Sequence, residues 1–133
     1  MRILLDTNVW LAILTTDGHC RRWWRAAQGR LQIYVSAQIL DEIEEKLRVK
    51  FGFSARHARL LTHFVRQKTV PVEITGALPN VCRDAADNGI LAAALAAHCD
   101  KLVTGDNDLL MLKEFNGIAI LTPGEFSKLV SGN

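Results

Sequence analysis

The chain has 133 residues, of which 49% are hydrophobic and 23% are charged, and its formal net charge is +2. This balance is typical of a single packed domain and excludes an intrinsically disordered chain. No apolar stretch reaches the ~20 residues that a membrane-spanning helix needs. Because Asp6 interrupts the apolar N-terminus so early, we expect no signal peptide. We therefore expect one domain over residues 1–133, located in the cytoplasm and away from membranes.

Short apolar runs alternate with longer amphipathic segments along the chain. The apolar or alternating runs predict strands at residues 2–5, 31–35, 70–74, 101–104 and 118–121. The other segments predict helices at residues 9–14, 19–27, between 36 and 52, from 54 onward, 85–97, 109–113 and from 123 onward. Strands that alternate with helices indicate an α/β domain with a mainly parallel central sheet.

Local signals add detail to three of these elements. Thr7 and Asn8 are expected to cap the first helix. Pro71 favours an edge position for the third strand, because proline donates no hydrogen bond to a neighbouring strand. After Ser54, the spacing of apolar residues predicts a helix with an inward face made of Leu60, Leu61, Phe64 and Val65.

Charge is unevenly distributed along the chain. Residues 19–68 contain eleven lysines and arginines against four acids, whereas the remainder contains five against ten. An enzyme that cuts a polyanion needs cations to hold phosphates and carboxylates to hold metal, and this division supplies both. Solvated helix faces are an equally good explanation of the basic segment.

Four acids lie where a functional site is expected. Asp6 follows the first strand and Asp106 the fourth, and ligands of parallel sheets bind beyond the carboxyl ends of strands. Glu42 borders the buried face of its helix, and Asp87 shares a helical stripe with Leu91. Taken alone, each acid is better explained as a helix cap or as a favourable charge in a first helical turn.

Taken together, the four carboxylates indicate a shared cation. Carboxylates crowded beside apolar faces and strand ends repel one another unless they are protonated or bind a positive ion. An all-oxygen donor set suits Mg²⁺ or Mn²⁺. Zinc is disfavoured because the cysteines and histidines form no closely spaced ligand pairs, so Cys20, Cys82 and Cys99 are expected to be ordinary thiols.

The stretches that carry these acids resemble the motifs of PIN-domain nucleases, in order and over nearly the whole chain. The fourth stretch is the most specific, and the similarity is greatest to the branch that contains toxin components of toxin–antitoxin systems, akin to VapC. Where that branch often has Asp-Pro, this chain has Asp84-Ala85, a departure that concerns loop shape rather than ligands. The stretches are Leu4-Leu5-Asp6-Thr7-Asn8-Val9, Ser36-Ala37-Gln38-Ile39-Leu40-Asp41-Glu42-Ile43, Asp87-Asn88-Gly89-Ile90-Leu91-Ala92-Ala93-Ala94-Leu95, Leu102-Val103-Thr104-Gly105-Asp106-Asn107-Asp108-Leu109-Leu110 and Leu121-Thr122-Pro123-Gly124-Glu125-Phe126.

The resemblance implies a three-layer α/β/α fold and a metal-dependent endoribonuclease that leaves 5′-phosphate and 3′-hydroxyl ends. Its cofactor would be Mg²⁺ or Mn²⁺. The implied catalytic residues and metal ligands are Asp6, Glu42, Asp87 and Asp106. The residues implied to support or surround these ligands are Asn8, Thr104 and Asp108.

The resemblance also implies partners. The substrate would be RNA, single-stranded or in a structured loop, held by Lys50, Arg56, Arg59 and Arg66. The protein would form a homodimer and bind a cognate antitoxin, with an antitoxin arginine among the acids. A disordered antitoxin segment would fold along an apolar surface near three tryptophans. These are Trp10, Trp23 and Trp24, for which core packing or a dimer contact is the stronger expectation and base stacking the weaker one.

Two other function classes compete with this interpretation. A catalytically inactive PIN-like module would bind nucleic acid or protein without cutting, but the presence of all four acids argues against it. A phosphatase of the α/β type would need a second acid two residues after its nucleophilic aspartate. This chain has Asn8 at that position, so the phosphatase match fails.

Overall fold

The structure is a computed structural model that describes residues 1–27 and 29–131. Its strands are β1 (Arg2–Leu5), β2 (Gln32–Val35), β3 (Val70–Pro71), β4 (Lys101–Val103), β5 (Glu114–Phe115) and β6 (Ile118–Leu121). Its helices are α1 (Thr7–Thr15), α2 (His19–Ala27), α3 (Ala37–Val49), α4 (Ala55–Lys68), α5 (Ala85–Ala96), α6 (Asn107–Leu110) and α7 (Pro123–Val130). None of these helices is both long enough and apolar enough to cross a bilayer.

The strands form one sheet in the order β3-β2-β1-β4-β6-β5, in which β5 alone among the described strands runs antiparallel to its neighbour. Helices pack on it to give the expected three-layer α/β/α arrangement. The central strand β1 is apolar, and its residues Ile3, Leu4 and Leu5 are completely buried. From β1 the chain builds β2 and β3 on one side and then β4 and β6 on the other. The winding direction therefore reverses between β1 and β4, which places a crevice at their carboxyl ends.

Helix α1 begins earlier than the sequence predicts. Its N-cap is Asp6, whose side chain accepts a hydrogen bond from the backbone N–H of Thr7, so the helix starts at Thr7 and not at Val9. Thr7 and Asn8 therefore do not form the cap, whereas the alternative interpretation of Asp6 as a helix cap is confirmed. Asp6 is the first residue after the strand and is itself a good cap, which lets the chain turn at once.

Two strand predictions also need correction. Of the predicted strand at residues 70–74, only Val70 and Pro71 pair with β2, and they lie at the sheet edge as Pro71 predicts. Strand β5 was not predicted at all, and α6 starts two residues before the expected position. The missed signal is Asn116-Gly117, whose φ angles of 49° and 85° suit the tight turn of the β5–β6 hairpin.

The inward face of α4 is made of smaller residues than expected. Leu60 is 59% exposed, contrary to the prediction, while Val65 is buried and Leu61 and Phe64 are half-buried. The buried positions are Ala58, Thr62 and Val65. They also follow a three-and-four spacing, but the buried face is rotated around the helix away from Leu60. Small residues at two of these positions let α4 lie close to α3.

The three tryptophans belong to the hydrophobic core. Trp10, Trp23 and Trp24 are all less than a tenth exposed, and Trp24 packs edge-on against both Trp10 and Phe64. This burial excludes base stacking on their rings. An accessible groove lies next to Trp24, and its apolar lining residues include Ile13, Leu14, Leu61 and Phe64.

Helix α5 is buried nearly all round because its side chains are small. Residues 87–94 are buried, and they include three alanines and one glycine. At Gly89, an added Cβ atom would collide with the side-chain amide of Gln38 from α3. The same Gln38 donates a hydrogen bond of 3.0 Å to the carbonyl oxygen of Ala86. The absence of a side chain at Gly89 thus makes room for the Gln38 amide, which connects α3 to the first turn of α5.

Candidate metal centre

One buried hydroxyl connects the ends of the two central strands. Thr104, the residue after β4, is completely buried. Its hydroxyl donates a hydrogen bond of 2.7 Å to Oδ2 of Asp6 and accepts one of 3.0 Å from the backbone N–H of Asp106. A hydroxyl can both donate and accept, so threonine fixes an acid from each strand end at the same time.

A second hydroxyl connects Asp6 to helix α3. The backbone N–H of Thr7 donates to Oδ1 of Asp6 at 2.7 Å, and the hydroxyl of Thr7 donates to Oε1 of Glu42 at 2.9 Å. Glu42 is half-buried on the second turn of α3, which begins where Ser36 caps it at the end of β2. The carboxylates of β1 and α3 are therefore joined through a single residue.

Three aspartates bring their carboxylate oxygens together at this edge. One oxygen each from Asp87, Asp106 and Asp108 lies within 4.8 Å of the others. Asp87 is buried on the first turn of α5, Asp106 is half-buried as the N-cap of α6, and Asp108 is exposed. We refer to Asp87, Asp106 and Asp108 as the acidic cluster. An all-oxygen set at this spacing fits a hard divalent cation.

Burial and mutual repulsion act on the charge of this edge. Burial raises the pKa of Asp87 to about 6, helped by the charges of Asp106, Asp84, Asp6 and Asp108. Burial also raises the pKa of Asp6, against the lowering effect of the hydrogen bonds from Thr104 and Thr7. Asp106 adds to that rise and the positive charge of Lys46 opposes it. A bound cation would lower the pKa values of both Asp6 and Asp87, since an opposite charge favours ionised carboxylates.

The four predicted ligands are therefore connected at this edge, three of them by mutual charge and the fourth by a hydrogen-bonded residue. Asp6, Asp87 and Asp106 lie close enough to influence one another's charge, and Glu42 is joined to Asp6 through Thr7. Thr104 donates to the carboxylate of Asp6 and accepts from the backbone N–H of Asp106.

Two supporting residues differ from their expected places. Asn8 is exposed, and its side chain makes no hydrogen bond within residues 1–27 and 29–131. Asp108, which was expected outside the ligands, has a carboxylate oxygen inside the acidic cluster. The turn at Gly105 and the cap at Asp106 bring Asp108 back toward α5.

Sequence reasoning missed three residues at this edge, of which Thr7, the link between Asp6 and Glu42, is the first. Asn88 is buried, and its side-chain oxygen accepts hydrogen bonds from the backbone N–H groups of residues 81 and 82 at 3.2 and 2.9 Å. Its amide donates to the carbonyl oxygen of residue 82 at 3.0 Å. Arg83 follows this anchored segment and forms an ion pair with Asp108. The sequence offered one signal for Asn88, namely its position next to Asp87 near the start of a helix.

The predicted RNA-binding residues lie on the surface. Lys50, Arg56, Arg59 and Arg66 are exposed, and none forms an ion pair within the part of the chain that the structure describes. Lys50 lies eight residues beyond Glu42, about 12 Å along the axis of α3. Their charge can act on a polyanion only as a surface field around the site.

The cysteines take no part in this centre as ligands. Cys20 and Cys82 are half-buried, Cys99 is buried, and all three are free thiols. Burial raises the pKa of Cys99 to about 12 and also raises the pKa values of the other two. Thiols with raised pKa values are poor nucleophiles and poor metal ligands, which agrees with their expected ordinary role.

The chain is similar to known proteins over these same residues. The sequence model of the PIN domain family matches residues 2–108, which include every acid of the site. A chain of VapBC2 from Rickettsia felis, bound to a DNA fragment from its promoter, superposes with a TM-score of 0.67 at 12% identity, covering 92% of this chain and 98% of that one. A chain of VapBC-1 from nontypeable Haemophilus influenzae gives a TM-score of 0.63 at 13% identity, covering 93% and 99%. No curated protein sequence matches significantly. The family match spans most of the chain and both structures share its fold, so this protein belongs to the PIN domain family.

Proposed function

We propose that this protein is a metal-dependent endoribonuclease. The observation that carries the proposal is the acidic cluster, in which one oxygen from each aspartate lies within 4.8 Å of the others beyond the carboxyl ends of β1 and β4, in a chain of the PIN domain family. This position is where parallel sheets bind ligands, because the reversal of winding direction opens a crevice beyond the carboxyl ends of the strands.

The proposed cofactor is Mg²⁺ or Mn²⁺. The ligands would come from Asp6, Glu42, Asp87 and Asp106, as the resemblance implies, and the position of Asp108 adds it to this set. This donor set suits Mg²⁺ or Mn²⁺, because every proposed ligand is a carboxylate and none is a thiolate or an imidazole. The raised pKa values of Asp6 and Asp87 also fit a site that is strained until a cation binds.

The residues of this chain would contribute position and charge to the reaction. When bound, the cation supplies an activated water and stabilises charge on the attacked phosphate and the leaving oxygen. Thr104 holds Asp6 and the backbone of Asp106 in fixed relation, and Thr7 does the same for Asp6 and Glu42. Ligands that are already oriented need no reorganisation when substrate arrives.

The test is cleavage of a labelled single-stranded RNA with Mg²⁺ or Mn²⁺. Asp6→Asn and Asp106→Asn should each lower the rate by about 100-fold or more, because each removes a charged ligand from a polar catalytic site. Asp41→Asn is the matched control, since Asp41 is an exposed acid on α3 next to Glu42. Cleavage by Asp106→Asn at the rate of the control, in a preparation that is still folded, would overturn the proposal.

We further propose that the protein acts in the cytoplasm as a homodimeric toxin with a cognate antitoxin. The support is the resemblance to VapC-type toxins and the likeness in fold to chains of two proteins named VapBC. An antitoxin arginine would compete with metal for the acids, because a guanidinium offers fixed donors to several carboxylates. An antitoxin segment would lie along the groove lined by Ile13, Leu14, Leu61 and Phe64.

Growth of a bacterial host tests the toxin role. Expression of the wild-type chain should arrest growth, coexpression of the small protein encoded next to it should relieve the arrest, and Asp6→Asn should be harmless. Arrest that persists with Asp6→Asn would contradict the toxin proposal, because the effect would not come from the acidic site.

A further inference from the structure

Arg83 is placed beside the acidic cluster by residues on both sides of it. Before it, the backbone of residues 81 and 82 forms three hydrogen bonds with the Asn88 side chain, two from the N–H groups of residues 81 and 82 and one to the carbonyl of residue 82. After it, Asp84 caps α5 by accepting a hydrogen bond of 2.9 Å from the N–H of Ala86. The backbone at Arg83 is therefore held by the same helical turn that carries Asp87.

The side chain of Arg83, in contrast, is accessible. It is 92% exposed, and one guanidinium nitrogen lies 3.7 Å from Oδ1 of Asp108, whose side chain is 45% exposed. An ion pair this exposed contributes little to folding stability. A fixed backbone and an exposed cation at the edge of the acidic cluster are poorly explained by a structural role.

The charge balance of the pocket gives this cation a role. A phosphate that enters the acidic cluster meets Asp87, Asp106 and Asp108, with Asp6 behind them. Within the described residues, Arg83 is the cation that forms an ion pair with a member of the cluster. A guanidinium can exchange a single carboxylate for two oxygens of a phosphate, which is the geometry its planar donors match.

We propose that Arg83 binds a backbone phosphate of the RNA at the acidic cluster and so positions the bond to be cut. This inference rests on the proposed function and concerns the same site. Asp108 holds the guanidinium in place until the phosphate takes over, and Asn88 positions the segment that carries it. Arg83 is thus a substrate-binding residue, distinguished from the exposed arginines of α4 by its ion pair with Asp108.

The experiment measures binding of a labelled single-stranded RNA by fluorescence anisotropy over a salt series, together with cleavage. Arg83→Ala should weaken binding about tenfold and lower the slope of log affinity against log salt by about 0.7, because one phosphate fewer is neutralised. Arg83→Lys should recover the salt slope but only part of the affinity, because it keeps the charge and loses the planar donors. The control is Arg25→Ala, since Arg25 is also exposed and has one carboxylate partner, Asp17 at 3.9 Å.

The outcomes separate the two proposals. Wild-type protein that binds RNA but does not cut it would overturn the nuclease, while the binding arm would still decide on Arg83. If Arg83→Ala matches Arg25→Ala in affinity and salt slope, the inference about Arg83 is overturned. The nuclease proposal is not affected by that outcome. Tighter binding or faster cleavage by Arg83→Ala would also overturn it, because Arg83 would then compete with substrate or metal. Wild-type protein that neither binds nor cuts RNA would overturn both.

Discussion

The carboxyl edge of the sheet and the outer face of α4 would supply the two charges of one reaction, yet they are built in opposite ways. At the edge, Asp6, Thr7 and Thr104 are less than a tenth exposed and are joined by hydrogen bonds of 2.7 Å. On α4, Arg56 and Arg59 are exposed and have no ion-pair partner among the described residues. One region is fixed by its interactions and the other is free to adapt.

The difference follows from the cost of burial. A buried carboxylate must have partners, so its position is determined by the groups that satisfy it. An exposed arginine is satisfied by water and can change rotamer freely, so it contributes a field rather than a geometry. Single substitutions should therefore have large effects at the edge and small, additive effects on α4.

Removing the hydroxyl of Thr104 should break the edge most severely among residues that are not themselves acids. Thr104→Val keeps the shape of the side chain but leaves Asp6 and the N–H of Asp106 without their shared partner. We expect cleavage and Mn²⁺ affinity to fall by about 10- to 100-fold, with a decrease of about 1–3 kcal/mol in the free energy of unfolding. Metal titration followed by cleavage assay measures the first and denaturant unfolding the second.

Thr104→Ser is the control for that prediction, because it retains the hydroxyl and removes only a methyl group. It should keep cleavage within a few-fold of wild type. Equal activity of the valine and serine variants would mean that the hydroxyl does not organise the acids, and the contrast between the two regions would disappear.

The pH dependence of stability sharpens the comparison from the electrostatic side. The pKa of Asp87 rises from 3.8 to about 6 in the folded, metal-free protein, so the unfolded chain ionises first as pH increases. Wild-type stability should fall between pH 4 and pH 6 by at most about 3 kcal/mol and show no further decrease from this group above that window. Asp87→Asn should lack this fall, so its advantage over wild type should appear only above pH 4.

Denaturant midpoints in EDTA at pH 4 and pH 7.5 measure this effect, with Asp41→Asn as the control for an exposed acid. Added Mn²⁺ should stabilise the wild type more than Asp87→Asn, because ligand binding to the folded state raises stability. An advantage of Asp87→Asn that is equal at both pH values would contradict the role assigned to charge.

The smallest effect per residue is expected on α4. Replacing Arg56, Arg59 and Arg66 with alanine should weaken RNA binding and reduce its salt slope by about 0.7 for each phosphate that is no longer neutralised, with little change in the rate at saturating RNA. The control removes the same charge elsewhere, from the exposed Arg22, Lys113 and Lys128. Identical salt curves for the two triple variants would show that the face of α4 is an ordinary solvated surface.

The sequence predicted best what burial dictates. The apolar run at residues 2–5 and the acid after it identified the central strand and the crevice, because a buried strand leaves only its end polar. The inward direction of Asp87 followed from its helical stripe, and the structure buries it. The fold class was confirmed for the same reason, since alternating strands and helices have few right-handed, parallel arrangements.

Local periodicity could not give interactions between distant residues. The link from Thr7 to Glu42 spans 35 positions and depends on how α1 and α3 lie together, and the anchoring of Cys82 by Asn88 depends on a loop conformation. The prediction that Leu60 points inward was wrong because α4 buries the smaller residues Ala58 and Thr62 instead. The hairpin turn at Asn116-Gly117 was readable from the sequence but was overlooked.

The close approach of Gly89 to Gln38 has a consequence for genetics. A side chain at position 89 would displace the amide of Gln38, whose hydrogen bond to the carbonyl oxygen of Ala86 holds the first turn of α5, the turn that carries Asp87. Survivors selected for the absence of a harmful activity should therefore include substitutions at Gly89 as well as at the acids, although glycine offers no chemical group. Mutational tolerance along α5 would follow side-chain volume rather than polarity, and a map of inactivating changes would extend well beyond the residues that touch a cation or RNA.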